Sequence, residues 1–176
     1  MPMKPASANG YTLIELIIAV GLFALVMTLA SGAYLLVIGI ERQTQGITTG
    51  IDNLSFALET MTRIIRTGTN YSCNDVGDCT AGGSTFSVKD QNGVTQSFTL
   101  SGGVIMQNTN IPLTDPSSVT ISSLMFYVSG TGTYTATGDI NQPHVTIIVS
   151  GTVSAGPGKS QAFSVETGAT MRGTDL

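Results

Sequence analysis

The sequence predicts an α+β fold in which one long N-terminal helix packs on an antiparallel β-sheet. Three observations support this class. Residues 11–40 are apolar with a single charge, residues 41–66 repeat apolar side chains at helical spacing, and the chain after residue 68 is rich in Thr, Ser and Gly. With 41% hydrophobic and only 10% charged residues, the 176-residue chain is not intrinsically disordered, because disorder requires more charge and less apolar content.

The apolar run from Tyr11 to Ile40 contains Glu15 as its only charged residue. A helix of this length reaches about 45 Å, which exceeds the ~30 Å hydrocarbon core of a bilayer. The segment therefore predicts a single membrane span. Lys4 is the only basic side chain before it, so the positive-inside rule predicts a cytoplasmic N-terminus and a C-terminal part outside.

The helix is expected to continue beyond the span as an amphipathic segment. Its apolar positions are separated by four or three residues, which predicts one buried stripe: Ile47, Ile51, Leu54, Leu58, Met61 and Ile65. No proline interrupts this region, and the predicted end is Thr67-Gly68, after Arg66. Gly46 and Gly50 weaken a helix; they predict local loosening or, alternatively, partial melting in an assembly.

The remaining chain predicts a sheet, because short β-branched and aromatic runs alternate with turn residues. The predicted strands are Thr85–Lys89, Val94–Leu100, Val104–Gln107, Val119–Val128, His144–Val153 and Gln161–Met171. Alternation is clearest at Val145, Ile147 and Val149, which predicts one apolar face. The stripe on the helix is expected to cover that face.

The charge balance and the residue inventory exclude several classes of function. Residues 67–176 contain three Lys and Arg residues against seven acids, too few cations for a nucleic-acid surface. His144 is the only histidine, and the acids follow no calcium-loop pattern. We therefore expect no catalytic residue, no metal site, no cofactor and no nucleic-acid partner.

Two cysteines, Cys73 and Cys79, follow the predicted end of the helix. Outside the membrane they would meet an oxidising compartment, which favours a disulfide between them. Metal binding together with Asp75 and Asp78 is an alternative, as are two reduced thiols.

The junction before the span reads Gly10-Tyr11-Thr12-Leu13-Ile14-Glu15-Leu16, after a short polar start with one lysine. This run resembles the processing site of type IV prepilins, the family that includes pilins and the pseudopilins of type II secretion and competence systems. Two positions depart from the commonest pattern of that family. Tyr11 replaces the usual Phe or Met, and Gly32 lies where many members have a proline.

The resemblance implies a processing and assembly pathway. A prepilin peptidase would cut between Gly10 and Tyr11 and methylate the new amino group of Tyr11, and Glu15 would set the register between subunits. The implied partners are the membrane, other pilin or pseudopilin subunits, and an inner-membrane assembly platform. The implied organisation is a leader at 1–10, a transmembrane half-helix at 11–40, an amphipathic half at 41–67 and an extracytoplasmic β-rich part at 68–176.

The subtype and the alternatives rest on weaker features. Leu54–Arg66 and Phe163–Arg172 resemble J-type minor pseudopilins or W-type minor pilins, which favours a minor subunit over a major one. The alternatives are a single-span anchored binding module of adhesin type, or an exported enzyme. A plain membrane anchor would keep the leader and the span intact. In a signal-peptide version of either alternative, a cut at Ser31-Gly32-Ala33 would replace prepilin processing. A monomeric anchor would not need Glu15, whereas a filament subunit would.

Overall fold

The computed structural model describes residues 10–132, 136, 138, 140–156 and 158–172. These residues form one helix, α1 (Leu13–Thr67), followed by β-strands, which confirms the α+β class. The strands among the described residues are β1 (Thr69–Cys73), β2 (Cys79–Gly83), β3 (Thr85–Lys89), β4 (Thr95–Ser101), β5 (Val104–Gln107), β6 (Ile111–Pro112), β7 (Val119–Ser129), β8 (His144–Ser154) and β9 (Ser160–Thr170). The chain divides into two compact units, Met1–Glu41 and Arg42–Leu176.

The strands form two antiparallel sheets, whereas the sequence predicted one. One sheet has the order β1-β3-β4-β5-β6 and the other β2-β7-β8-β9. All six predicted strands are confirmed, with ends that agree within one residue. β1, β2 and β6 were missed because their sequences, TNYSC, CTAGG and IP, contain Asn, Gly or Pro, which are depleted in strands. Pairing with neighbouring strands, rather than local propensity, holds them.

Apolar side chains from both sheets and from the second half of α1 share one core. Phe86 of β3 stacks on Phe126 of β7 with ring centroids 5.4 Å apart, so the core is continuous between the sheets. The helix contributes residues at spacings of four or three, which are Gly50, Leu54, Ala57, Met61 and Ile65. The predicted helix–sheet packing is therefore confirmed.

The buried stripe is rotated relative to the predicted one. Ile51 is 51% exposed, Leu58 is half-buried, and Ala57 is completely buried. The prediction that Ile51 belongs to the buried stripe was wrong. Leu58, which the sequence places in the middle of the stripe, packs at the edge of the core. Spacings that alternate strictly between four and three residues have a period of 3.5 residues, and a straight α-helix departs from that period. The side that faces the core therefore shifts around the helix, and small residues face the core where larger ones had been predicted.

The end of α1 is held by hydrogen bonds from residues that follow it in the unit Arg42–Leu176, which we call the sheet unit. The Gly68 amide and the Tyr71 hydroxyl both donate to the carbonyl of Ile65, and the Arg172 amide donates to the carbonyl of Arg66 over 3.0 Å. Burial raises the pKa of Tyr71 to about 12, so its hydroxyl remains a donor at any physiological pH. The predicted end of the helix at Thr67 is confirmed.

Gly46 and Gly50 allow α1 to approach the end of β8 closely. A Cβ atom at Gly46 would lie 2.7 Å from the Ser154 carbonyl oxygen, and one at Gly50 would lie 2.7 Å from Cγ1 of Val153. The helix is continuous at both positions. Both glycines therefore have a steric role in this unit, and the loosening and melting interpretations stay predictions.

Replacing Gly50 by Ala is expected to destabilise the sheet unit by about 1–3 kcal/mol, because the added methyl group overpacks against Val153. Gly39→Ala is the matched control, since a Cβ atom there would meet nothing within 4 Å. Denaturant unfolding of the detergent-solubilised chain, followed by circular dichroism, measures both. Equal stability of the two variants would contradict the steric role of Gly50.

Candidate functional site

The first part of α1 is an apolar surface exposed throughout. Every residue from 10 to 37 is exposed, including Leu13 at 77% and Ile14 at 63%. An 18-residue window of the helix has a mean hydropathy of 2.6 with none of it buried, so its length and composition suffice to cross a membrane. An apolar surface of this extent requires lipid or other protein surfaces to cover it.

Glu15 is the one charged residue on this surface. It lies one helical turn from Tyr11 and lines a shallow apolar depression whose other residues are Tyr11, Leu16, Ala19, Val20 and Phe23. Among the described residues, the only recorded ion pair joins Arg63 and Glu59. The structure thus brings Tyr11 and Glu15 onto one face and shows no cation beside the Glu15 carboxylate within the described chain.

Thr12 caps the helix, a role that the sequence analysis missed. Its hydroxyl oxygen accepts a hydrogen bond of 3.3 Å from the Glu15 amide, and its carbonyl accepts one of 3.2 Å from the Leu16 amide. The signal was present in the sequence, because Thr12-Leu13-Ile14-Glu15 has the spacing of a capping box. Glu15 therefore also occupies the third position of the first turn, where a carboxylate suits the helix dipole.

Loss of this cap should be measurable at one amide. Thr12→Val removes the hydroxyl acceptor, at a cost of about 1 kcal/mol in local helix stability. We expect the Glu15 amide to exchange its hydrogen about fivefold faster in the detergent-solubilised chain. Thr12→Ser retains the hydroxyl and should exchange at the wild-type rate. An unchanged rate in Thr12→Val would show that the bond does not stabilise this turn.

Gly10 precedes the cap and is exposed. A Cβ atom at this position would meet nothing within 4 Å among the described residues. The described fold therefore does not require a glycine here. A requirement for glycine at this position would have to come from a molecule that acts on the chain.

Cys73 and Cys79 form a disulfide, as predicted, with their Cα atoms 5.9 Å apart. The two sulfurs are therefore not free thiols, and they are not available as thiolate ligands of a metal. The bond closes the loop between β1 and β2, close to the core residue Phe126, whose carbonyl oxygen is 3.4 Å from the Cys79 sulfur.

Asp78 in the same loop has a structural role. Its carboxylate accepts hydrogen bonds from the Gly130 amide and from the amide and hydroxyl of Thr131, at 2.7–3.3 Å. Burial raises the pKa of Asp78, but these hydrogen bonds outweigh that effect and hold the pKa below its ordinary value. The contribution of Asp78 to stability is thus complete above the unfolded-state pKa and is lost as the pH falls through the lower folded-state pKa.

His144 lies at the exposed start of β8. Its Nδ1 atom is 2.9 Å from the Thr170 hydroxyl and its Nε2 atom is 3.3 Å from the Thr146 hydroxyl. No group of three or more His, Cys, Asp or Glu side chains within the described part of the chain is arranged to hold a metal ion. The neighbours of His144 are hydroxyl groups, an arrangement typical of a surface strand residue.

The first part of α1 has the length and composition of a single membrane span, which would anchor the chain. A family model described as the prokaryotic N-terminal methylation motif matches residues 6–31. This match supports the type IV pilin or pseudopilin family, whose members are structural rather than catalytic proteins. Comparisons with curated proteins and with solved structures return no match.

Proposed function

We propose that this protein is a structural subunit of a type IV pilus-like filament, or of a type II secretion or competence pseudopilus. The observation that carries the proposal is the methylation motif at residues 6–31 on a helix whose exposed apolar surface contains Glu15 as its only charge. In this proposal residues 1–10 are a leader, 11–40 the transmembrane half-helix, 41–67 the amphipathic half and 68–176 the extracytoplasmic part.

Processing takes place between Gly10 and Tyr11. A prepilin peptidase cuts this bond on the cytoplasmic side, and the new amino group of Tyr11 is methylated. The absence of packing contacts at the Gly10 Cβ position supports this step. The described fold does not require a glycine there, whereas an enzyme that binds the backbone closely at the cut would. The cytoplasmic N-terminus follows from Lys4 and the positive-inside rule.

Assembly uses the exposed helix. Lipid covers the apolar side chains of residues 11–37 before assembly, and the equivalent helices of neighbouring subunits cover them afterwards, on an inner-membrane assembly platform. Cleavage creates an amine at Tyr11 one turn from Glu15, and in a packed bundle the carboxylate of one subunit pairs with the amine of the next. Such a pair fixes the axial register, because any other register leaves two buried charges unpaired.

The subunit is a minor one, of the J-type pseudopilin or W-type pilin kind. The resemblance of Leu54–Arg66 and Phe163–Arg172 to those proteins supports this assignment. The position of the disulfide also supports it, because Cys73 and Cys79 follow the helix directly rather than closing a C-terminal loop. Low abundance in sheared surface fibres is the corresponding expectation.

The mature N-terminus tests the proposal. Mass spectrometry of the membrane protein should find a chain that starts at methylated Tyr11. An intact leader would instead indicate an anchored binding module that acts without polymerising, and a start near Tyr34 would indicate a signal peptide.

The Gly10→Leu variant is expected to remain an uncleaved precursor in the inner membrane, because the side chain obstructs the peptidase. Gly21→Leu is the matched control. A Cβ atom there also meets nothing within 4 Å, and the position is remote from the cut, so normal cleavage is expected. Normal mature protein from Gly10→Leu would remove the prepilin assignment.

A further inference from the structure

Three arginines meet at one surface of the sheet unit, which we call the arginine patch: Arg63, Arg66 and Arg172. Two of them lie in the last turns of α1, and Arg172 follows β9. The Arg172 amide donates to the Arg66 carbonyl over 3.0 Å, which fixes the two backbones side by side. The patch lines a concavity of about 240 Å³ together with Glu59, Thr62 and Thr67.

The patch concentrates positive charge in an acidic unit. Residues 42–176 contain six Lys and Arg residues against nine Asp and Glu residues, and half of those cations are in the patch. Arg63 pairs with Glu59 at 3.2 Å, with both side chains about 70% exposed. Arg66 and Arg172 form no ion pair with another described residue, so the described side chains that line the concavity are three arginines against one glutamate.

The helix dipole explains only part of this arrangement. Cations in the last turn of a helix are favourable by themselves, which accounts for Arg63 and Arg66. The helix dipole does not account for Arg172, which follows β9 and whose backbone amide already donates to a helix carbonyl. Like charges gathered around one concavity are unfavourable unless an anion neutralises them.

We propose that the arginine patch binds carboxylates of acidic side chains on a neighbouring pilin-like subunit; this inference rests on the proposed function. The guanidinium fork matches a carboxylate with two parallel hydrogen bonds, and the concavity accommodates one or two such groups. An extended polyanion would be repelled by the net negative charge of the rest of the unit.

Photo-crosslinking of the full chain in its host cells tests the contact. A benzophenone amino acid replaces Thr67, which is exposed and lines the concavity. The crosslinked peptide, identified by mass spectrometry, should belong to a subunit with a processed prepilin N-terminus and should contain Asp or Glu. We expect the yield to fall at least tenfold in Arg66→Glu/Arg172→Glu, and to recover when the crosslinked acid is changed to Arg.

Lys159→Glu is the matched control for the single variants, because it makes the same charge change as one Arg→Glu substitution, on an exposed residue beside Gly156. Gly156 lies next to Gly46, about 30 Å along the helix from Arg66. The crosslinking yield of Lys159→Glu should stay within twofold of wild type. The single variant Arg172→Glu separates the proposal from a dipole role, since docking predicts at least a threefold loss and a dipole role predicts none.

Several results would overturn the inference: crosslinks to lipid, to glycan or to residues 173–176 of the same chain, or a wild-type yield in the double variant. Failure of the proposed function looks different. If the proposed function is wrong, the N-terminus will be unprocessed and no pilin-like partner will be found. If only the proposed binding at the arginine patch is wrong, processing and assembly will stay at wild-type levels.

Discussion

The Glu15→Leu variant is expected to insert into the membrane and to be cleaved after Gly10, yet to be absent from filaments. A carboxylate in a membrane span costs at least about 2.5 kcal/mol on insertion scales, so leucine should not impair insertion. In the proposed pathway the cut between Gly10 and Tyr11 lies before the helix, so cleavage should also proceed. The expected defect is therefore confined to the packing of subunits against one another.

The expected size of the defect follows from the proposed ion pair between Glu15 and the Tyr11 amine of the next subunit. In a dry bundle of apolar helices, removing Glu15 leaves the Tyr11 amine of the neighbouring subunit buried and unpaired. Breaking a buried pair in this way costs about 3–5 kcal/mol, which corresponds to a loss of more than about a hundredfold in incorporation. Immunoblots of sheared or co-purified assemblies, normalised to cleaved protein in the membrane, measure that ratio.

Glu15→Gln separates the ion pair from the helix cap. A capping box accepts Gln as well as Glu at its last position, so this variant keeps the capping capacity next to Thr12 and loses only the charge. We expect it to fail in assembly as Glu15→Leu does. Wild-type assembly of both variants would show that Glu15 is only a tolerated interfacial charge, and wild-type assembly of the Gln variant alone would assign its role to the cap.

The sequence predicted those parts of the fold that have strong local periodicity. β7, β8 and β9 are 11 residues each, and their β-branched and aromatic residues between turn signals indicated them. β1 and β2 lack such a pattern and form because β3 and β7 offer partners. The division into two sheets depends on those pairings between distant segments, for which a single sequence has no local signal.

The candidate sites also differ in whether a local signal in the sequence predicts them. Gly10, Tyr11 and Glu15 are close together in the sequence, so a motif of seven residues was sufficient to indicate them. The arginine patch joins the end of α1 to the residue after β9, and no spacing rule connects Arg66 with Arg172. Side chains that only tertiary packing brings together were accessible from the structure alone.

The second large effect is expected in the buried stripe of α1, where a cavity should lower the free energy of unfolding. Met61 is completely buried among side chains of both sheets, so Met61→Ala leaves a cavity and should cost about 2–5 kcal/mol in free energy of unfolding. Leu58 was the residue that the sequence placed in the centre of the stripe. It is half-buried and packs at the edge of the core, so Leu58→Ala should cost about 1–2 kcal/mol.

Glu59→Ala is the surface control for this series. The Glu59 side chain is 71% exposed in its pair with Arg63, and exposed pairs of this kind contribute little, so its effect should stay within about 0.5 kcal/mol. Denaturant melts of a fragment from Gln43 onward, with the disulfide intact, measure all three variants. The order Met61, Leu58, Glu59 is the expected result, because it follows the burial of the three side chains. A loss at Leu58 equal to that at Met61 would instead support the helix register predicted from the sequence.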